Sequence, residues 1–245
     1  MKSYIIRIEL EETNPVIWRR VVVPAGATFK RLHDIIQNVT NFQGGYPNDG
    51  YHLYEFELPE ENGIVTDNEE MHLEHLHYKK NRKMYEERLR DMNPEMRQFE
   101  QAYQDRLKIE VRKPTRLKVD DYLEKHKEIR YAYDFGDDWH FTVKLERVVE
   151  DYHFGFPTLL DGAGTAPPED VGGIHGFYGF MEVYNDPKDP EHLELKAWAE
   201  SQGFREYDPA MINGRLKGLS YRKTQWDMIY QEMYKIMQEK YRKGR

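Results

Sequence analysis

Large apolar residues alternate with polar ones on both sides of an acidic turn, and this pattern constrains the fold more than any other. The apolar positions are Tyr131, Tyr133, Phe135, Trp139, Phe141, Val143 and Leu145. Such period-two alternation is typical of β-strands with one buried face, and a slip of one residue would expose every apolar side chain. The two runs therefore predict a hairpin in which Phe135 lies opposite Trp139 across a three-residue loop at 136–138.

This register makes predictions about four polar residues of the hairpin. Asp137 and Asp138 lie at the tip, where aspartate tolerates turn geometry and caps neighbouring amides. Asp134 and His140 become directly opposed on the other face, close enough for a charge-assisted contact. A turn-and-pair role accounts for all four residues, and a metal or acid–base site is the alternative.

The rest of the chain predicts an α+β fold around this hairpin. Residues 4–10 alternate, residues 16–23 are rich in β-branched side chains, Thr28 is placed to cap a helix, and a strand is predicted at 51–58. A hairpin, a helix and a strand in this order are typical of a β-grasp-like (ubiquitin-like) mixed sheet packed by helices. We expect residues 1–245 to form a single domain of this kind.

Two long segments depart from the sheet pattern. Residues 62–118 are densely charged, and the pair Asn93-Pro94 is typical of a helix start, so an inserted helical hairpin that leans on the sheet is predicted. Its apolar contact stripe is predicted to be Met96, Phe99, Tyr103 and Leu107. Residues 176–245 are predicted to hold the C-terminal helices, of which the last begins at about residue 221.

The composition of the chain excludes several classes of protein. There is no cysteine, so disulfides and thiolate metal sites are impossible, and a reducing, cytoplasmic location is expected. No stretch approaches about eighteen apolar residues, so no membrane partner is expected. Arg7 and Glu9 interrupt the first apolar run, which is therefore not interpreted as a signal peptide.

A second constellation, APPEDVGGIHG at 166–176, adds two carboxylates and a histidine. Its two prolines favour an extended backbone before the turn, and Gly172 and Gly173 allow the backbone to turn sharply. The loop either caps its own helix or presents free helix amides that bind an anion. With the 133–140 hairpin it predicts a binding cleft, and no catalytic residue is assigned. The candidate cleft residues are Asp134, Asp137, Asp138, His140, Glu169, Asp170 and His175.

The other histidines are interpreted as structural. His72, His75 and His77 have some metal-like spacing, but they lie at the edge of the charged segment, and specific metal binding is not expected there. His33 on the first predicted helix and His52 on a predicted strand are interpreted as core histidines, although both could face the predicted cleft.

Four segments in a fixed order carry a family resemblance. They are NPVIWRRVVVPAGATFKRLHDIIQ, HLYEF, YAYDFGDDW and APPEDVGGIHGF, and together they resemble the plasmid pRiA ORF-three-like family, whose members are sometimes labelled TnpR. The resemblance covers most of 1–58 and 129–219. It implies an α+β fold of β-grasp type and an association with mobile elements, with no assigned activity. Phe141 stands where members often carry a histidine, and the cysteines that many members have near the PPED loop are missing.

Three functions remain open. The absence of a nucleophile–base arrangement favours a non-catalytic module that binds a protein or a small ligand, with no cofactor predicted. A metal-dependent hydrolase or nuclease is the alternative, and it requires the acidic motifs to converge so that Asp134, Asp138, Glu169 and Asp170 hold a divalent metal. A nucleic-acid accessory protein is the second alternative, because residues 215–245 carry nine Lys or Arg and three Asp or Glu, a net charge of +6.

Overall fold

The computed structural model describes residues 1–42 and 52–223, and the framework of this part of the chain is one mixed sheet of eight strands. The strands are β1 (Ser3–Leu10), β2 (Ile17–Pro24), β3 (Tyr54–Leu58), β4 (Gly63–Thr66), β5 (Glu110–Arg112), β6 (Glu128–Tyr133), β7 (Trp139–Val149) and β8 (Thr158–Ala163). Their order across the sheet is β5-β4-β3-β6-β7-β1-β2-β8. Neighbouring strands are antiparallel except for β4 and β5, which are parallel.

Eight α-helices are described in the same part of the chain. They are α1 (Phe29–Val39), α2 (Glu69–Lys80), α3 (Arg82–Asp91), α4 (Pro94–Leu107), α5 (Asp120–His126), α6 (Gly173–Asn185), α7 (His192–Ser201) and α8 (Pro209–Lys217). Not one of these described helices has the length and apolar character needed to cross a lipid bilayer. The predicted last helix, from about residue 221, lies almost entirely outside the described residues.

Helices and sheet share one main core, which confirms the predicted α+β class. Tyr4 and Ile6 alternate into this core from β1, and Phe29 enters it from α1. The predicted helix cap is present, because Thr28 Oγ1 accepts a hydrogen bond from the Arg31 amide at 3.2 Å. The strand order does not by itself establish the more specific β-grasp arrangement, which stays a prediction, as does the single-domain organisation.

The predicted hairpin forms from β6 and β7, but its register is shifted by two residues. Tyr133, not Phe135, lies opposite Trp139, and residues 134–138 form a five-residue loop. Because the shift is an even number of residues, Tyr133 and Trp139 remain on the buried face as predicted. Phe135, by contrast, is part of the loop and is 46% exposed.

The predicted pairing of Asp134 with His140 is therefore wrong, since Ala132 lies opposite His140. Two backbone hydrogen bonds, one of them to a distant part of the chain, account for the longer loop. The Asp134 amide donates to the Leu53 carbonyl at 3.0 Å, and the Asp138 amide donates to the Asp134 carbonyl at 2.6 Å. Both aspartates adopt a positive φ, which aspartate tolerates better than most residues with a side chain. Alternation fixes the buried face but does not predict these bonds.

Segment 62–118 is partly sheet rather than purely helical. It contains β4 and β5, which extend one edge of the sheet, and three helices, α2 to α4, where two were predicted. These helices have a small core of their own, formed by Tyr78, Tyr85 and Leu107. The insertion is therefore joined to the sheet by strand pairing and is packed internally by its helices.

The predicted apolar stripe of α4 is wrong at three of its four positions. Leu107 is buried, whereas the other three side chains are exposed: Met96, Phe99 and Tyr103. The buried face of α4 consists of Glu100, Gln104 and Leu107 instead. Gln104 Nε2 donates to the Tyr85 carbonyl at 2.8 Å and Glu100 pairs with Arg88 at 3.1 Å, so hydrogen bonds to the neighbouring helix select this polar face.

Candidate functional site

The pairing of β3 with β6 brings His52 next to Asp134. Tyr54 and Tyr133 are antiparallel partners, so the residues just before β3 and just after β6 are neighbours at the same end of the sheet. The backbone bond from Asp134 to Leu53 continues this pairing by one step. As a result, His52 Nδ1 lies 3.2 Å from Asp134 Oδ1.

The PPED loop packs against the tip of the hairpin. The Gly172 amide donates to Asp137 Oδ2 at 3.1 Å. Gly173 has a φ of +67°, and a Cβ there would lie 2.6 Å from the Asp137 carbonyl oxygen, so only glycine fits this close approach. Behind this contact the Tyr133 hydroxyl donates to Glu169 Oε1 at 2.8 Å. The two acidic motifs are therefore in contact, but of the four metal ligands that the hypothesis named only Asp134 and Glu169 come together in one group.

His52, Asp134 and Glu169 form a compact group, which we name the inner cluster. One ligand atom from each side chain lies within 4.8 Å of those of the other two. Asp134 and Glu169 are 7% and 4% exposed, so both carboxylates are almost removed from water. Asp170 lies at the rim, where its Oδ1 is 3.6 Å from His52 Nε2.

Neighbouring donors orient both carboxylates of the inner cluster. The Gly136 amide donates to Asp134 Oδ1 at 3.0 Å, and Tyr133 donates to Glu169. Burial, reinforced by the charge of Glu169, raises the pKa of Tyr133, so its hydroxyl stays protonated and remains a donor. Two negative side chains are thus held close together in a site where water screens them poorly.

The other predicted residues lie on the outer side of the hairpin. Asp138 Oδ1 contacts His140 Nε2 at 2.9 Å, and we name these two residues the outer pair. Asp137 and His175 join the outer pair in lining a cavity of about 250 Å³, which lies between the hairpin and the PPED loop. Four of the seven candidate residues line this cavity, whereas Asp134 and Glu169 belong to the inner cluster.

A larger cleft of about 920 Å³ opens beside the inner cluster, and His52 lines it. Lys30, Arg205 and Arg215 line it as well. No sequence pattern placed these three cations at a common cleft, because they come from two distant parts of the chain. His33 also lines the cleft, and it is a buried core histidine as interpreted from the sequence.

Hydrogen bonds to the protein account for the buried histidines of α1 and α2. His33 Nδ1 lies 2.8 Å from the Tyr131 hydroxyl, and burial holds the pKa of His33 well below its usual value. His72 Nε2 and His75 Nδ1 bond to backbone carbonyls at 2.9 Å. Among the described residues, the inner cluster is the only group of at least three potential metal ligands, and it includes none of these histidines.

A family match spans most of the chain. The sequence profile of the family described as plasmid pRiA4b ORF-3-like protein matches residues 2–215. The chain belongs to this family. The plasmid pRiA4b ORF-3-like match includes the hairpin, the PPED loop and all three residues of the inner cluster, and it agrees with the resemblance seen in the sequence.

Two other proteins are similar to this plasmid pRiA4b ORF-3-like chain, one in sequence and one in structure. The uncharacterized protein y4hQ of Sinorhizobium fredii is 30% identical over 209 residues, which are 85% of this chain and 84% of the relative. The crystal structure of MM3350, a protein of unknown function from Methanosarcina mazei Go1, matches with a TM-score of 0.55 and 27% identity. That similarity covers 85% of this chain and 96% of the solved one. The relatives thus support family and fold, and the function has to be inferred from the site.

Proposed function

We propose that this protein binds a divalent metal ion, Zn²⁺ or Mn²⁺, through His52, Asp134 and Glu169, and that the metal forms one end of a ligand-binding cleft. The observation that carries this proposal is the inner cluster, in which three ligand atoms lie within 4.8 Å of one another. A metal ion that lies about 2.2 Å from each ligand atom can bind two ligand atoms that are up to about 4.4 Å apart. A small adjustment of the side chains would therefore complete the site.

Electrostatics gives a reason for an ion at this place. Asp134 and Glu169 are more than nine-tenths buried, and two nearby carboxylates that both ionise in a poorly solvated site cost free energy. A divalent cation offsets this cost by neutralising both charges. One imidazole with two carboxylates suits Zn²⁺ or Mn²⁺, whereas softer ions prefer the thiolates that this chain lacks.

The surroundings of the inner cluster support a site built to hold ligands in place. The amide of Gly136 and the hydroxyl of Tyr133 each fix one carboxylate oxygen, and such outer partners raise metal affinity. Three protein ligands leave coordination positions for water or a bound molecule. Because His52 also lines the large cleft, a molecule in that cleft has a direct path to the ion.

A ligand-binding module is the preferred form of this function, since no motif for a nucleophile–base arrangement stands out in the sequence. Metal-dependent hydrolysis is the second candidate, and open coordination positions beside a cleft favour it, because a bound ion can activate a water molecule. We further infer a cytoplasmic location, which the absence of cysteine supports. Nucleic-acid binding through 215–245 stays a separate hypothesis, testable by the salt dependence of binding, and residues 224–245 lie outside the described residues.

Isothermal titration of the metal-free protein with Zn²⁺ and with Mn²⁺ tests the proposal. We expect one ion per chain for the wild type. Asp134→Asn and Glu169→Gln should each weaken binding by at least about 100-fold, since even outer partners of a metal ligand are worth about 10- to 100-fold. Asp138→Asn, a matched change in the outer pair, should leave affinity unchanged. Equal losses in all three variants, or no binding by the wild type, would refute the proposed site.

Hydrolysis assays separate the two candidates once metal binding is established. The metal-loaded protein is incubated with a phosphodiester, a phosphomonoester and a carboxylic ester. Turnover that disappears in Asp134→Asn would establish the hydrolase and overturn the binding module. Unchanged substrates with intact metal binding would support the module.

A further inference from the structure

Arg205 and Arg215 line the same cleft as His52, and neither forms an ion pair with a carboxylate among the described residues. Arg215 Nη2 donates to the Thr40 carbonyl at 3.3 Å, while its Nε is buried without a partner in the described part of the chain. Burial and the nearby charge of Arg205 lower the pKa of Arg215. Like charges are thus held together beside a cleft, at a cost in free energy.

A third guanidinium group, that of Arg19, adds positive charge near Arg215. Arg19 is buried in the protein, and its guanidinium donates to four backbone carbonyls rather than to a carboxylate. Burial, together with the charge of Arg215, lowers the pKa of Arg19 to about 10, a value at which it remains charged at neutral pH. Backbone carbonyls stabilise this cation without cancelling its charge.

Two acidic groups near the arginines are engaged with other partners, and Asp67 also lines the cleft. Asp34, which also lines the cleft, pairs with Lys30 at 2.5 Å and with Arg31 at 3.5 Å. Asp208 caps the start of α8 by accepting bonds from the Ala210 and Met211 amides. Glu206 follows Arg205 in the chain and lines a neighbouring cavity with both arginines, but its carboxylate forms no ion pair with either of them among the described residues. In a chain with a net charge of −8, this wall of the cleft is a local cationic site.

We infer that Arg205 and Arg215 form a subsite for the phosphate group, or a similar oxyanion, of a small ligand. The planar forked donors of two guanidinium groups match the oxygens of such a group, and their two charges match a dianion. A phosphorylated small molecule could then bind the arginines with one end and the ion of the inner cluster with the other. That last step rests on the proposed function, whereas anion binding by the arginines does not.

Isothermal titration calorimetry of the metal-free protein with inorganic phosphate and with phenyl phosphate tests the subsite. The wild type should bind both, and Arg205→Gln and Arg215→Gln should each weaken binding by about tenfold or more, the value of a hydrogen bond to a charged group. Arg82→Gln, which changes an exposed arginine of α3 that pairs with Glu86, is the matched control and should bind normally. Tighter binding of phenyl phosphate than of phosphate would identify a phosphate ester as the ligand class.

If Arg215→Gln does not fold, Arg205→Gln still tests the subsite, because Arg205 is exposed and its substitution should not affect folding. Phosphate affinity that is unchanged in folded Arg205→Gln, or no binding by the wild type, would overturn the subsite. Titrations repeated with Mn²⁺ separate the two proposals. Mn²⁺ should tighten phenyl phosphate binding in the wild type and not in Asp134→Asn. Metal binding without phosphate binding would remove only the subsite, and phosphate binding without metal binding would remove only the metal site.

Discussion

Two aspartate–histidine pairs lie on opposite sides of one hairpin, and they differ mainly in their exposure to water. His52 and Asp134 of the inner cluster are 3.2 Å apart, with side chains 19% and 9% exposed. His140 and Asp138 of the outer pair are 2.9 Å apart, with side chains 48% and 74% exposed. By distance alone, the outer pair would be the better candidate for a functional site. By burial, the inner pair is the better candidate.

The difference shows how the surroundings give the same residue types different roles. Water screens the outer pair, so its contact is expected to be worth less than about 1 kcal/mol. In the inner cluster water is largely excluded and a second carboxylate, Glu169, lies beside the first. Two carboxylates held close together are costly in such a site, so we expect the inner cluster to gain most from binding an ion.

The largest effect is expected when the inner cluster loses the hydrogen bond that the Tyr133 hydroxyl donates to it. Tyr133→Phe removes the hydroxyl that donates to Glu169 Oε1. Because a buried acceptor then loses its bond, the free energy of unfolding should fall by about 1–3 kcal/mol, and metal affinity should fall by about tenfold or more. Urea unfolding and metal titration measure the two effects. Tyr103→Phe, on the exposed face of α4, is the control and should change neither.

If Tyr133→Phe behaved like Tyr103→Phe in both measurements, the inner cluster would not depend on its neighbours. The contrast between the buried and exposed sides of the hairpin would then lose its physical basis.

An intermediate effect is expected from pH, through the buried histidine next to the cleft. Burial, with a smaller contribution from Lys30, lowers the pKa of His33 below that of the unfolded chain. The unfolded state therefore binds more protons near pH 6, so His33 contributes stability above its unfolded pKa of about 6.5 that is lost as the pH falls. In His33→Phe the loss of stability between pH 7 and pH 5 should be smaller, as measured by urea unfolding.

Phenylalanine keeps the stacking of this side chain on Tyr54, whose ring centroid lies 3.8 Å from that of His33. Tyr131 also keeps a hydrogen bond from Gln37 Nε2 at 3.2 Å, so the variant tests protonation rather than packing. An equally steep loss of stability in His33→Phe would show that other groups cause the acid sensitivity.

The smallest effect is expected in the outer pair. Asp138→Asn removes a screened charge, so the free energy of unfolding should change by less than about 1 kcal/mol. The same is expected of His140→Gln, and a double-mutant cycle would measure their coupling. A coupling of several kcal/mol would make the outer pair as important as the inner cluster and would remove the distinction between them.

Part of this arrangement could be predicted from the sequence. Alternation at residues 131–143 predicts the buried face of the hairpin, and the Thr28 cap predicts the start of α1. The acidic motifs mark candidate site residues in the sequence, although only the structure shows that Asp134 and Glu169 come together. These features depend on local periodicity or on single residues with strong preferences, which one sequence displays directly.

Other features depend on contacts that periodicity does not encode. The hairpin register could not be predicted, because a shift of two residues keeps the paired side chains on the same face of the sheet and the Asp134–Leu53 bond selects between the registers. Arg205 and Arg215 reach the cleft from near the end of the described chain, and no motif in the sequence relates them to the acidic residues of the site. On α4 the polar residues are buried by bonds to a neighbouring helix, so an apolar stripe predicted the wrong face.

Crystals of the protein soaked with Mn²⁺ or Zn²⁺ and measured by anomalous diffraction test the central claim most directly. We predict one strong anomalous peak, about 2.0–2.6 Å from a nitrogen of His52 and from carboxylate oxygens of Asp134 and Glu169. The peak should be lost in Asp134→Asn crystals and kept in Asp138→Asn crystals. Full occupancy at His140 and Asp138, with no peak at the inner cluster, would contradict the claim.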